Sequence, residues 1–297
     1  MKKPYRLKTI SSFFCLLILA LIPFSAYAQP AKSGDSARVF DLKLKSDLMN
    51  RDMPYRVILP VGYRASDKEK SYPTIYLLHG LTGHYDNWGD LAKLEKHTVD
   101  YQYIFVMPEG NNGWYTDSDN VENDKYESYI VDELIPSIEK NYQARATREG
   151  RVIAGLSMGG YGSLKFGLKY PQKFVLSGSF SGALRAAEWD DKTLPSWKVL
   201  SDSVMTTFGP KDSNTRKENN IFEVLKSKSK EEIGKLPFFY IDCGTEDGLI
   251  IQNQEFAGLL LKQKVPHEFR QLPGKHDWVF WEAQIQEFLE LTRKYVK

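Results

Sequence analysis

Val152-Ile153-Ala154-Gly155-Leu156-Ser157-Met158-Gly159-Gly160-Tyr161 is the stretch that decides the fold. A short β-prone apolar run leads straight into Gly-x-Ser-x-Gly, and a segment of helical period begins directly afterwards. A serine held between a strand and a helix must sit on a sharp turn, where little bulk fits beside it. Gly155 and Gly159 meet that demand because they lack a Cβ. The Ser157 hydroxyl is then expected to project above the end of a sheet, next to the free N–H groups and partial positive charge of a helix start. Gly-x-Ser-x-Gly also arises by chance in loops, and the flanking strand and helix are what set this occurrence apart.

Outward from Ser157, short β-rich runs alternate with longer segments of helical period, the pattern of an α/β chain whose mostly parallel sheet carries helices on both faces. Eight strands are predicted: Val39–Lys45, Tyr55–Leu59, Thr74–Leu78, Tyr103–Met107, Val152–Ala154, Val175–Ser179, Phe238–Asp242 and Glu268–Leu272. The first two are joined without room for a helix, so they are expected to pair antiparallel at one edge. Helices are predicted over Tyr126–Asn141, Tyr161–Tyr170, Gln252–Lys264 and Val279–Val296, with Pro136 bending or breaking the first and Pro171 ending the second. From Ser181 to Leu236 the alternation fails. This charged, Ser/Asn/Lys-rich stretch carries scattered anchors (Trp189, Trp197, Phe208, Phe222) and is expected to form a cap- or lid-like insertion over about residues 182–236. A plain helical crossover with long loops is the alternative.

The N-terminus is read separately. Lys2, Lys3, Arg6 and Lys8 precede an apolar run from Phe13 to Ile22 that ends near Ala26-Tyr27-Ala28, the build of a secretory signal peptide cleaved after Ala28. The run is shorter than the roughly 20 residues that cross a bilayer, so no membrane span is expected once it is removed. Residues 29–297 then form one domain, of near-neutral charge at about −2. The slight basicity of the full chain belongs to the signal and argues for neither nucleic acid nor an anionic membrane as partner. Export to the periplasm or the medium follows. Only Cys243 remains after cleavage, so no intramolecular disulfide framework is available, and its apolar neighbours mark it as a buried structural thiol.

A serine hydroxyl is a weak nucleophile, so Ser157 requires a base and a group that orients that base. In the α/β-hydrolase fold these follow the serine in the order acid, then histidine. His79, His84 and His97 precede Ser157, which leaves His267, at the opening of a predicted strand, and His276, in the loop after Pro273-Gly274. His276 is the expected base. The acid is expected in Gly244-Thr245-Glu246-Asp247-Gly248, after the strand Phe238–Asp242: Asp247, with Glu246 as the alternative. Attack on a carbonyl also needs two N–H donors for the developing oxyanion. The motif supplies Met158, and the loop His79-Gly80-Leu81-Thr82-Gly83 offers Leu81. Trp114, Tyr115 and Trp278 are read as loop residues near the site and as candidates for stacking on a sugar or aryl ring, with plain packing as the alternative. Trp281 falls on the apolar face of the last helix and is expected to be buried. The sequence has no phosphate loop, dinucleotide fingerprint or zinc-spaced His/Cys set, so neither a cofactor nor a metal is expected.

From about Val39 to its end the chain resembles the esterase D-like family of α/β-hydrolases, which includes S-formylglutathione hydrolases, feruloyl and acetyl xylan esterases, tributyrin esterases and mycobacterial mycolyltransferases. The resemblance is carried by Leu59–Tyr63, Tyr76–Leu81, Gly155–Leu164, Phe208-Gly209, Gly244–Asp247 and Gly274–Trp278 with Trp281. It implies Ser157, Asp247 and His276 as a catalytic triad and the Leu81 and Met158 amides as the oxyanion hole. The implied activity is serine carboxylesterase on a small-molecule or carbohydrate ester, feruloyl, acetyl or short-chain. The alternatives are transfer of the acyl group to a sugar hydroxyl, and a non-catalytic binding protein on the same fold.

Overall fold

The computed structural model describes residues 38–190 and 197–297; the predicted signal segment lies outside them. Eight strands, β1 (Val39–Ser46), β2 (Arg51–Ile58), β3 (Thr74–Leu78), β4 (Ile104–Pro108), β5 (Arg151–Leu156), β6 (Leu176–Phe180), β7 (Phe238–Gly244) and β8 (His267–Leu272), form one sheet. Their order is β1-β2-β4-β3-β5-β6-β7-β8. β1 pairs antiparallel with β2, and β2 with β4; every other neighbouring pair is parallel. This is the strand order of the α/β-hydrolase fold.

Every residue of β3, β4 and β6 is buried, because both faces of the sheet are covered. Alternate side chains enter different cores: Tyr76 and Leu78 pack on one side, Ile75 and Leu77 on the other. That is why these strands read as unbroken apolar runs. The first face carries the helices Met158–Lys169 and Ile250–Lys262, and the second carries Trp278–Thr292, whose Trp281, Ile285, Phe288 and Leu289 are buried. Edge strand β8 is half-exposed and presents His267, Glu268 and Arg270.

The helices depart from the predicted bounds in informative ways. The first is three pieces: α over Tyr126–Ser128, π over Tyr129–Leu134 and α again over Ile135–Asn141. Pro136, which has no N–H, stands in the first turn of the last piece. The Ile135 N–H reaches back five residues to the Ile130 carbonyl, so the ladder widens rather than breaks. The last predicted helix starts one residue early, at Trp278, because the Asp277 carboxylate accepts the Phe280 N–H at 3.1 Å and caps it.

Between β6 and β7 the described residues fold into a 3₁₀ turn at Ala186–Glu188 and helices Lys198–Phe208, Asn214–Asn219, Ile221–Ser227 and Lys230–Ile233. Phe208 and Phe222 are buried anchors, and the Tyr161 hydroxyl donates to the Asn219 carbonyl at 2.7 Å, tying this stretch to the helix that follows Ser157. Among the described residues no helix is long and apolar enough to cross a membrane.

Candidate active site

Ser157 stands between β5 and the helix Met158–Lys169 at φ +53° and ψ −113°, a conformation that costs a residue with a Cβ about 1–3 kcal/mol. The turn is held from both sides. Its N–H donates to the Phe180 carbonyl at 2.9 Å, and its carbonyl accepts the Tyr161 and Ala183 N–H groups at 3.1 and 3.0 Å. A Cβ on Gly159 would lie 2.4 Å from the Leu78 carbonyl oxygen, and one on Gly155 would lie 2.5 Å from the Gly159 carbonyl. Backbone therefore packs directly on backbone here, drawing the loop after β3 against the turn.

His276 and Asp247 come from loops after β8 and β7, at the same carboxyl edge of the sheet. His276 Nε2 lies 3.0 Å from Ser157 Oγ, and Nδ1 lies 2.8 Å from Asp247 Oδ2. The second carboxylate oxygen of Asp247 accepts the Leu249 N–H at 2.8 Å. Burial pushes the Asp247 carboxyl up, but His276, the Leu249 amide and the Ser181 hydroxyl outweigh it and hold the group below its ordinary range. A carboxylate fixed in this way keeps the Nδ1 proton in place and leaves the Nε2 lone pair facing the Ser157 hydroxyl. Trp281, 6% exposed, packs edge-on against the His276 ring at 4.9 Å between centroids. The alternatives are engaged elsewhere: Glu246 faces Lys275 Nζ at 3.8 Å, and His267 Nδ1 is 2.8 Å from the Val265 carbonyl. Cys243 is buried, and burial together with the Asp247 charge pushes its thiol well up, toward the neutral form.

Met158 is the first residue of its helix, so its N–H has no partner one turn back. Leu81 lies in the loop pressed against that turn and lines the cavity with Ser157. Polar contacts through Asn112 and Glu109 hold this loop to the one following β4. The Thr82 N–H donates to the Asn112 side chain at 2.8 Å. The buried Glu109 accepts from the Asn111 and Tyr85 N–H groups and faces His79 Nε2 and His84 Nδ1, both at 3.1 Å. Burial pushes the Glu109 carboxyl up, yet the hydrogen bond and charge of His79, helped by the Asn111 amide and His84, bring it down to about 2. Sequence reasoning missed Glu109 and Asn112; their one signal was a position in the loop that follows a strand.

Ser157, Asp247 and His276 line a cavity of about 720 Å³. Trp114 and Trp278 also line it, but Trp278 belongs to a helix rather than to a loop. Tyr115 does not line it and its placement corrects the sequence reading. It is fully buried, its ring packs edge-on against His79, and its hydroxyl donates to the His79 carbonyl at 3.0 Å. Trp114 and Tyr115 both adopt φ +51°, and that double reversal turns the second ring inward. Trp189, Trp197 and Leu200, from the stretch between β6 and β7, also line the cavity, a role that their scattered spacing did not reveal. Among the described residues no group of three or more His, Cys, Asp or Glu is placed to hold a metal ion.

The model of the Esterase family matches residues 46–291. The chain is 27% identical over 263 residues to a protein named acetyl esterase from Caldicellulosiruptor saccharolyticus, a match that spans 86% of this chain and 98% of that one. Among solved structures it is similar to a ferulic acid esterase, with a TM-score of 0.73, 26% identity, and coverage of 86% of this chain and 97% of that one. It is also similar to a fluorophosphonate-binding serine hydrolase of Staphylococcus aureus, solved with substrate bound, at a TM-score of 0.73, 25% identity and the same coverage.

Proposed function

The chain belongs to the Esterase family, and on that premise we propose that it is an exported serine carboxylesterase in which Ser157 is the nucleophile, His276 the base and Asp247 its orienter. The observation that carries this reading is the chain of contacts from Ser157 Oγ to His276 Nε2 at 3.0 Å and from His276 Nδ1 to Asp247 at 2.8 Å, at the wall of a cavity of ligand size.

Ser157 Oγ attacks the acyl carbon while its proton passes to His276 Nε2, and the carbonyl electron pair moves onto oxygen. The Leu81 and Met158 N–H groups stabilise that oxyanion. Collapse expels the alcohol, which takes the proton from Nε2 and leaves an acyl-serine. A water then gives its proton to Nε2 and attacks the acyl carbon, and collapse returns the proton to Ser157 as the acid departs. Asp247 stays ionised and stabilises the imidazolium formed in each half. The cavity's tryptophans and leucines suit an acetyl, short-chain or feruloyl group, and the names of the acetyl esterase and ferulic acid esterase relatives favour an acetyl or feruloyl ester. Export rests on the residue 1–28 segment.

The test uses wild-type and Ser157→Ala protein from the exported fraction, where the chain is expected to begin at Gln29, assayed on aryl acetates, aryl butyrates and methyl ferulate. The variant is expected to lose at least about 10³-fold in kcat on every ester the wild type cleaves. Wild-type rates from the variant would overturn the assignment, and a chain retained in the cytosol with Met1 intact would overturn export.

A further inference from the structure

A second cavity, of about 450 Å³, shares no lining residue with the one at Ser157. It lies at the same edge of the sheet. Asn111, Asn112 and Gly113 come from the loop after β4, and Arg51 opens the antiparallel β2, whose Tyr55 is paired with Pro108 at the end of β4. Trp114 is the partition. It lines the first cavity, whereas its neighbour Gly113 and the Ser203 hydroxyl that accepts its indole N–H at 3.1 Å line the second. The helix Lys198–Phe208 divides the space in the same way, with Leu200 on the first cavity and Asp202 and Ser203 on the second. Asn112 joins the two sites, since its side chain also accepts the Thr82 N–H beside Leu81.

The polar groups of this second cavity are already fixed in place. Arg51 donates to Asp124 at 2.7 Å and to the Tyr126 hydroxyl at 3.0 Å, and its guanidinium lies 5.6 Å from the centre of the Tyr126 ring. The Asn111 amide donates to the same hydroxyl at 3.0 Å. Among the described lining residues Arg51 is paired with Asp124, at 2.7 Å, and Asp202 with Lys198, at 2.6 Å, so the charges are matched and the site does not suit an anion. The amides, hydroxyls and paired charges of the lining match a neutral ligand with many hydroxyls, and the volume lies within the range of small-ligand sites. No step of the acyl transfer described above uses Arg51, Asn111, Asp124 or Tyr126.

We propose that this cavity is a carbohydrate subsite, holding one sugar of an oligosaccharide while a nearby sugar presents its ester to Ser157 on the other side of Trp114. The proposal rests on the esterase reading and gives it a substrate class. Two variants test it: Thr206→Trp, which fills the cavity from the exposed side of the helix Lys198–Phe208, and Asn111→Ala, which removes an amide. The first readout is the ratio of kcat/KM on acetylated xylo-oligosaccharide to kcat/KM on nitrophenyl acetate. It is expected to fall about tenfold in both variants, the loss of one or two neutral hydrogen bonds. The second is calorimetric binding of unesterified xylopentaose and cellopentaose to Ser157→Ala protein, expected to be measurable there and lost when Thr206→Trp is added. A ratio within twofold of wild type, or oligosaccharide binding indifferent to Thr206→Trp, overturns the subsite. If the wild type cleaves no ester, the proposed function fails by itself, and the binding measurement still decides the subsite.

Discussion

Both carboxylate oxygens of Asp247 are engaged, Oδ2 with His276 Nδ1 and Oδ1 with the Leu249 N–H, each at 2.8 Å. In Asp247→Asn the amide oxygen can keep the Leu249 contact only by turning its NH₂ toward Nδ1. That nitrogen must then accept, and the imidazole proton moves to Nε2, where it faces the Ser157 hydroxyl and blocks it. The variant is expected to lose about 10³–10⁴-fold in kcat with an unchanged circular dichroism spectrum and unfolding midpoint. Retention of more than a tenth of wild-type kcat would show that Asp247 does not orient His276. The residues of this constellation were legible because each lies in the turn or loop that follows an apolar strand and they occur in a fixed order along the chain. Tyr115 was not. Its type and loop position suit a stacking platform, but two successive positive φ values turn it under His79, and nothing in the local sequence announces that reversal.

At the scale of an element, the helix Met158–Lys169 buries nearly its whole length, including Lys165, which donates to the Tyr115 carbonyl at 2.6 Å, the Thr116 hydroxyl at 2.8 Å and Glu127 at 2.6 Å. Lys169 also pairs with Glu127, at 2.7 Å. The helix that positions Ser157 is thereby pinned to the Trp114–Thr116 loop through a buried ionic cluster. Burial pushes the Glu127 carboxyl up, but the two lysines outweigh it and hold the group below its ordinary 4.5. The unfolded chain therefore takes up the proton first, so the stability that Glu127 contributes is present above about pH 4.5 and is lost as the pH falls below it. Glu127→Gln is expected to lower the unfolding free energy by about 3–5 kcal/mol at neutral pH, because it leaves buried charge uncompensated. It is also expected to flatten the wild-type decline in urea midpoint between pH 5 and 3. A parallel decline in variant and wild type would assign the acid sensitivity elsewhere. Helical period revealed where this helix and the one beginning at Tyr126 lie, yet neither the π turn nor the buried ion pair was legible. Both depend on which faces meet after folding.

Across the whole molecule, the sheet order brings together side chains 119 residues apart at Ser157 and His276, and 29 apart at Asp247 and His276. Strand count was readable because central strands buried on both faces leave an apolar pattern, and the antiparallel edge because β1 and β2 are joined without room for a helix. The cavity walls were not, since Trp189, Trp197 and Leu200 reach the site from a stretch whose spacing carries no period. The assembly has one central consequence, a single activated serine. The most direct measurement is reaction of the folded protein with a fluorophosphonate ester, followed by peptide mass spectrometry. One phosphonyl group is predicted, on Ser157, absent from Ser157→Ala and slow to form in His276→Ala. Labelling at another residue, or an unlabelled Ser157 in protein that still hydrolyses esters, would contradict the account.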